Sequence, residues 1–243
     1  LRIFYSFMVP IFGGRKWTAL STTSLLLPSI GIGFAVQDPN TSYTTFLILA
    51  LLCGFGGGNF ASSMANIAYF YPKKTKGNAL ALNAGLGNLG VSVMQFIVPL
   101  VITAGVFGAI GGEPQQTTEG GKLFLQNAGF IWVPFLIVSA IAAWFGMHDI
   151  AAAKASFKDQ SIIFSRFHNW IMCILYTGTF GSFIGYAAGF PLLMKTQFPD
   201  VNVLSYAFLG PWVGALRRAA TGWVSDKFGG GRVTFWSLLG MIG

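Results

Sequence analysis

The sequence predicts an all-α protein that crosses a membrane several times, on three observations. Its 243 residues are 53% hydrophobic and 16% aromatic but only 9% charged, against roughly a quarter charged in a soluble domain, and mean hydropathy is +0.63. Apolar stretches long enough for a crossing helix, about 20 residues, recur along the whole chain. The charges lie in short, turn-rich breaks between those stretches, mostly on one side. This composition excludes a disordered chain, which cannot carry so much apolar side chain. A disulfide scaffold is excluded too, because Cys53 and Cys173 both lie within apolar runs. The net charge of +8 is distributed as a topology signal rather than as a nucleic-acid footprint, so no nucleic-acid partner is expected.

A half-length apolar segment comes first, over 1–12. Six full candidates follow at 17–36, 44–70, 79–105, 128–147, 168–193 and 203–224, and a second half-length segment covers 233–243. Gly, Pro, Asn and charged residues break the pattern at 12–16, 37–40, 72–77, 111–127, 195–202 and 225–232. No two-residue alternation competes with the helical reading, so a β-barrel is not expected. No secretory signal opens the chain, and both end segments stop short of a crossing. The chain is therefore expected to be the middle of a longer protein.

The loops alternate sides. One side holds Arg15, Lys16, Lys73, Lys74, Lys76, Lys154, Lys158, Arg166, Lys227 and Arg232; the other holds Lys122 and Lys195. That bias makes the first side cytoplasmic, with loops 13–16, 72–78, 148–168 and 225–232 inside. Asp38, Glu113, Glu119 and Asp200 then fall outside, and Asp149, Asp159 and Asp226 inside. The longest inner connection, 148–168, is expected to join an N-terminal group of helices (1–147) to a C-terminal group (169–243). His148 and His168 sit near span ends with no third ligand beside them, so no metal site is expected.

Three basic residues remain, Arg2, Arg217 and Arg218, all within apolar spans that contain no Asp or Glu. Arg2 lies 11 residues before Gly13, about 16 Å deep at 1.5 Å per residue. An arginine near the membrane centre costs at least about 2.5–3.5 kcal/mol and is usually functional. Backbone carbonyls, an acid elsewhere or a mobile anion could meet the charge. Snorkelling to the interface is the reading for Arg217; the depth of Arg2 argues against it there. An internal echo picks out Arg218 from its neighbour. Arg2 is followed at +10 to +12 by Phe12-Gly13-Gly14, and Arg218 by Phe228-Gly229-Gly230. The separation of 216 residues suits two six-helix halves related by a parallel repeat, with the two arginines facing a common cavity.

The strings Gly57-Gly58-Asn59-Phe60-Ala61-Ser62-Ser63-Met64-Ala65-Asn66 and Ala81-Leu82-Asn83-Ala84-Gly85-Leu86-Gly87-Asn88-Leu89-Gly90-Val91-Ser92 resemble the first nitrate signature of the bacterial nitrate/nitrite porters, a family of the major facilitator superfamily. The similarity continues through 180–185, 195–200 and 225–230 and covers essentially the whole chain. It implies a major facilitator fold of two pseudo-symmetric six-helix halves, incompletely covered here: this chain runs from late in the family's second helix to early in its ninth. It also implies that Arg2 and Arg218 are the family's substrate arginines, and that Phe60, Asn88, Tyr176 and Phe180 line the anion site. Ala84, Phe4 and Arg217 depart from residues common in the family. A bacterial inner-membrane location, a monomer and no cofactor follow from the same resemblance.

Each residue type suits the chemistry. A guanidinium is planar, always charged and presents a fork of donors that matches a flat oxyanion with two parallel hydrogen bonds. Two facing arginines repel when the site is empty, which couples anion binding to closure of the halves. Phe60 and Phe180 can form flat walls, or simply pack in the core. Tyr176 and Asn88 can donate to an anion oxygen, or make interhelical hydrogen bonds. Gly85, Gly87 and Gly90 allow close helix packing or a backbone approach to the anion. Asp226, Lys227 and Arg232 resemble the superfamily's cytoplasmic loop motif, a conformational latch. With no buried acid or histidine chain to relay protons, nitrate/nitrite exchange by alternating access is the expected function and nitrate/proton symport the alternative. An arginine-lined channel and an anion sensor are further readings. An enzyme is not expected, since no nucleophile–base pair or metal set is visible.

Overall fold

The computed structural model describes residues 2–116, 121–150 and 154–242; Glu119 lies outside the described residues. The helices are α1 (Arg2–Phe12), α2 (Gly14–Ser24), α3 (Leu26–Ala35), α4 (Tyr43–Phe70), α5 (Lys73–Val101), α6 (Asn127–Phe130), α7 (Trp132–Gly146), α8 (Phe157–Ser161), α9 (Phe167–Gln197), α10 (Leu209–Ala220), α11 (Gly222–Phe228) and α12 (Gly230–Ile242). The chain divides into two compact units, Leu1–Ala65 with Ile97–Lys154, and Asn66–Phe96 with Ala155–Gly243.

Among the described residues, five helical stretches are long and apolar enough to cross a membrane: Gly14–Ala35, Tyr43–Phe70, Lys73–Val101, Asn127–Gly146 and Phe167–Gln197. The shorter stretches still suffice. The 22 residues of Gly14–Ala35 span about 33 Å at 1.5 Å each, against a hydrocarbon core of about 30 Å. Large apolar side chains such as Leu51, Val138 and Phe145 point outward, as expected where lipid rather than water is the solvent.

The first unit packs α2 against α7, α3 against α6 and α7, and α1 against α2. Small residues permit the crossings. The Oγ of Ser29 donates to the Gly129 carbonyl at 2.7 Å, and a Cβ on Gly129 would meet the Ser29 carbonyl oxygen at 2.5 Å. A polar knot closes the far end. Gln126 and Asn127 are almost fully buried, and Asn127 Nδ2 donates to the Val101 and Ala104 carbonyls at 2.9 and 2.8 Å. In the loop beside it, β1 (Gln115–Gln116) and β2 (Lys122–Leu123) form a two-residue antiparallel hairpin.

In the second unit α5 buries Ala84, Gly85, Asn88 and Ser92, one face at helical spacing. Ser92 Oγ donates to the Phe208 carbonyl at 2.8 Å, and Gln95 Nε2 to the Ala187 carbonyl at 2.9 Å. α8 opens with a capping box between Ser156 and Asp159.

Three of the breaks are shorter than expected. Helix resumes at Lys73, at once after Pro72, and the interruptions at 12–16 and 225–232 shrink to Gly13 and Gly229. The span expected at 203–224 starts later, at Leu209, after a 3-10 turn over Val203–Ser205. It breaks at Thr221, whose hydroxyl and N–H both donate to the Arg217 carbonyl, a back-bond that bends helices. The span expected to reach 105 ends at Val101, just past Pro99, and the one expected to end at 193 runs to Gln197.

Candidate functional site

Arg2 opens α1 and turns onto α4. Its Nε donates to the Gly57 carbonyl at 3.1 Å, and its guanidinium carbon lies 5.3 Å from the centroid of the Phe60 ring. A carbonyl and an aromatic face stabilise a cation without neutralising it. Glycine at 58 lets α1 approach this closely: a Cβ there would meet the Tyr5 ring at 2.6 Å. Asn59, between these contacts, is tied to α2 by the Ser21 hydroxyl at 2.5 Å. Tyr5 in turn stands edge-on to Trp17, ring centroids 4.9 Å apart. Tyr5, Ser21 and Asn59 therefore shape the ground under Arg2. The sequence reading passed over them; their signal was an aromatic at +3 from Arg2 and a polar side chain inside a glycine run.

In the second unit the expected residues fall on two helices that meet α10. Tyr176 and Phe180, one turn apart on α9, stack with centroids 5.2 Å apart and planes 6° apart. Phe183 extends the ladder at 6.0 Å and reaches to 3.2 Å from a Cβ placed on Gly214 of α10. On α5, a Cβ on Gly85 would meet the Ala219 nitrogen at 2.7 Å and the Ala215 oxygen at 2.8 Å. Asn88, 7% exposed, sits between that crossing and the Ser92–Phe208 bond, on the same face. Arg218 is half-buried on α10 beside Ala219, whereas Arg217 is exposed. The three glycines part company: Gly85 is a close-packing site, while around Gly87 and Gly90 no described atom lies within 4 Å of an added Cβ.

The latch residues also separate. Asp226 accepts from the backbone N–H groups of Gly77 and Asn78 at 2.9 and 2.8 Å. α5 begins with Lys73, Lys74 and Lys76 and has no acid in its first turn, so Asp226 supplies the anion its positive end requires. Lys227 Nζ lies 5.4 Å from the centroid of the Phe228 ring, and Arg232 lines a cavity with Arg217. The first unit repeats the device. Asp149 accepts from the Arg15 N–H at 2.8 Å and pairs with Arg15 Nε at 3.7 Å, at the start of α2, which also lacks an acid.

A cavity of about 490 Å³ between α9 and α10, lined by Phe183, Tyr186, Phe190, Met194, Tyr206 and Pro211 among others, contains no charged residue and offers no positive charge to an anion. No group of three or more metal-ligating side chains occurs among the described residues.

Apolar rods with a cation seated between a carbonyl and an aromatic ring define a multi-pass α-helical membrane protein. Residues 1–243 match the Major Facilitator Superfamily, and the chain belongs to that superfamily. It is 58% identical over 234 residues to the nitrate/nitrite transporter NarU of Salmonella typhimurium strain LT2, covering 96% of this chain and 51% of the relative. It is 56% identical over 234 residues to NarU of Escherichia coli K12, with the same coverage. It is 45% identical over 252 residues to the probable nitrate/nitrite antiporter NarK2 of Thermus thermophilus, covering 100% of this chain and 56% of the relative. The chain spans about half the length of the curated relatives it matches. These relatives are named as transporters, not enzymes, and bear out the family resemblance read from the sequence.

Proposed function

We propose that this chain belongs to a porter that exchanges nitrate and nitrite by alternating access, with the anion held between Arg2 and Arg218. The observation that carries the reading is the setting of Arg2. Its guanidinium rests on a carbonyl and a ring in an apolar span whose sequence contains no acid, a setting that suits a mobile anion as counter-charge. The names of the relatives support the substrates. Phe60 beside Arg2, and Tyr176 with Phe180 on α9, are the flat surfaces of the site; Asn88 adds an amide donor on the face of α5 that meets α10. Asp226 is the latch that holds α5 to α11 in one conformation, with Lys227 and Arg232 beside it. The porter acts as a monomer in a bacterial inner membrane, with 148–168 joining its halves and 13–16, 72–78 and 225–232 on the cytoplasmic side.

Counterflow in proteoliposomes tests this. Nitrite trapped inside should drive uptake of labelled nitrate, saturably and equally with or without a pH gradient. Dependence on the gradient would indicate proton symport, and unsaturable current would indicate a channel.

A further inference from the structure

The second unit contains a basic cavity of which the exchange reading uses only Arg232, beside the latch. It measures about 580 Å³ and lies between Arg217, Thr221 and Phe228 on α10–α11 and Arg232, Trp236 and Ser237 on α12. Two guanidiniums line it and no carboxylate does. Both arginines are exposed, and among the described residues neither forms an ion pair. A lone inorganic anion could satisfy that charge, but it would leave the rest of the lining unfilled. The α10–α11 stripe, residues 217, 221, 224 and 228, covers 11 residue steps, about 16 Å at 1.5 Å each. Beyond Arg217 that stripe is apolar, since Val224 and Phe228 line the cavity with Val233 and Trp236, and the Thr221 proton is already engaged by the Arg217 carbonyl. The Ser237 hydroxyl adds one donor. The lining thus combines two guanidiniums with an apolar wall in one groove. Trp236 stands seven residues past the Gly229 turn, where an amphipathic ring anchors at a membrane interface.

We propose that this cavity binds an anionic phospholipid. Arg217 and Arg232 neutralise the phosphodiester, Ser237 donates to a headgroup oxygen, and Phe228 and Trp236 pack on the glycerol and upper methylenes. Basic pockets between membrane helices hold anionic headgroups by this combination.

Native mass spectrometry of the detergent-purified protein, offered equal phosphatidylglycerol and phosphatidylcholine, tests the assignment. Phosphatidylglycerol adducts should be favoured by about fivefold per arginine, the factor expected for one basic residue at an anionic surface. Arg217→Gln with Arg232→Gln should bring the ratio to parity, whereas the double lysine variant should retain a preference. Excess inorganic phosphate should leave the lipid adducts in place. Equal binding by the wild type, an undiminished preference in the glutamine variant, or displacement by phosphate would each overturn the proposal. Should the glutamine variant not fold, quenching by brominated lipids decides. Brominated phosphatidylglycerol should quench wild type more than Trp236→Phe, and brominated phosphatidylcholine should not; no difference between the lipids overturns it. Neither outcome bears on Arg2 or Arg218, so this site and the exchange site fail separately.

Discussion

At the scale of single residues, geometry separates arginines that composition treats alike. Arg2 donates through Nε to a carbonyl, and its guanidinium is a planar fork of donors. A lysine there keeps the charge and loses the fork. Arg2→Lys and Arg218→Lys are therefore each expected to lower counterflow by about tenfold or more, the equivalent of one charge-assisted hydrogen bond, with the protein still eluting as a folded species. Arg217→Ala, at an exposed position, should stay within about twofold. Wild-type exchange by either lysine variant would reject the two-arginine site. The identity of Arg2 was legible in the sequence because a deep charge without an acid is conspicuous. The Gly57 carbonyl that holds it was not, because a backbone acceptor has no letter of its own; only the glycine run around it hinted at close approach.

At the scale of elements, the helices were legible and their ends were not. Apolar periodicity located each rod, but the lysines after Pro72 read as a loop although they form the first turn of α5. A distant aspartate, Asp226, satisfies that turn, and the pairing cannot be read from local residues. The small-residue stripe on α5 was also ambiguous until its partner was visible. Gly85 faces backbone atoms of α10 that cannot move aside, whereas Gly87 faces none of the described atoms within 4 Å. Gly85→Val should therefore lower the unfolding midpoint in detergent, at a cost of about 1–3 kcal/mol. Gly87→Ala should hold or raise it, since alanine is the better helix former by about 1 kcal/mol. Equal losses for both would mean that helix-backbone crossing at Gly85 is not what sets the difference. Asn127→Ala removes two hydrogen bonds to the end of α5 and its following turn. The cost should be about 1–3 kcal/mol per carbonyl left unsatisfied, read from the same melting curves.

At the scale of the whole molecule, each unit carries its own version of one electrostatic device: a helix that starts with basic residues and no acid, completed by an aspartate from another helix end. Asp149 serves α2 and Asp226 serves α5. Asp149→Asn and Asp226→Asn remove the charge and keep one acceptor oxygen. Each should loosen its helix start, seen as faster backbone hydrogen exchange at Arg15 or at Gly77–Asn78, by a factor of about 2–5 for the 0.3–1 kcal/mol of a helix-terminus charge. Unchanged exchange in both would remove the device from the account. The acids were counted in the sequence as loop charges on the inner side; their partners lie 134 and about 149 residues away, beyond the range of any local pattern.

The two single-residue joints have a further consequence. Gly13 and Gly229 carry φ of +90° and +86° with ψ of 149° and 131°, a region closed in practice to residues with a side chain. Ordinary genetic drift can replace most of the surrounding apolar letters with other apolar letters, but it has no substitute for these two. However far other members of the lineage have diverged, glycine should persist at both sites wherever the joint itself is kept, and a lineage with alanine at one of them must have rebuilt the turn.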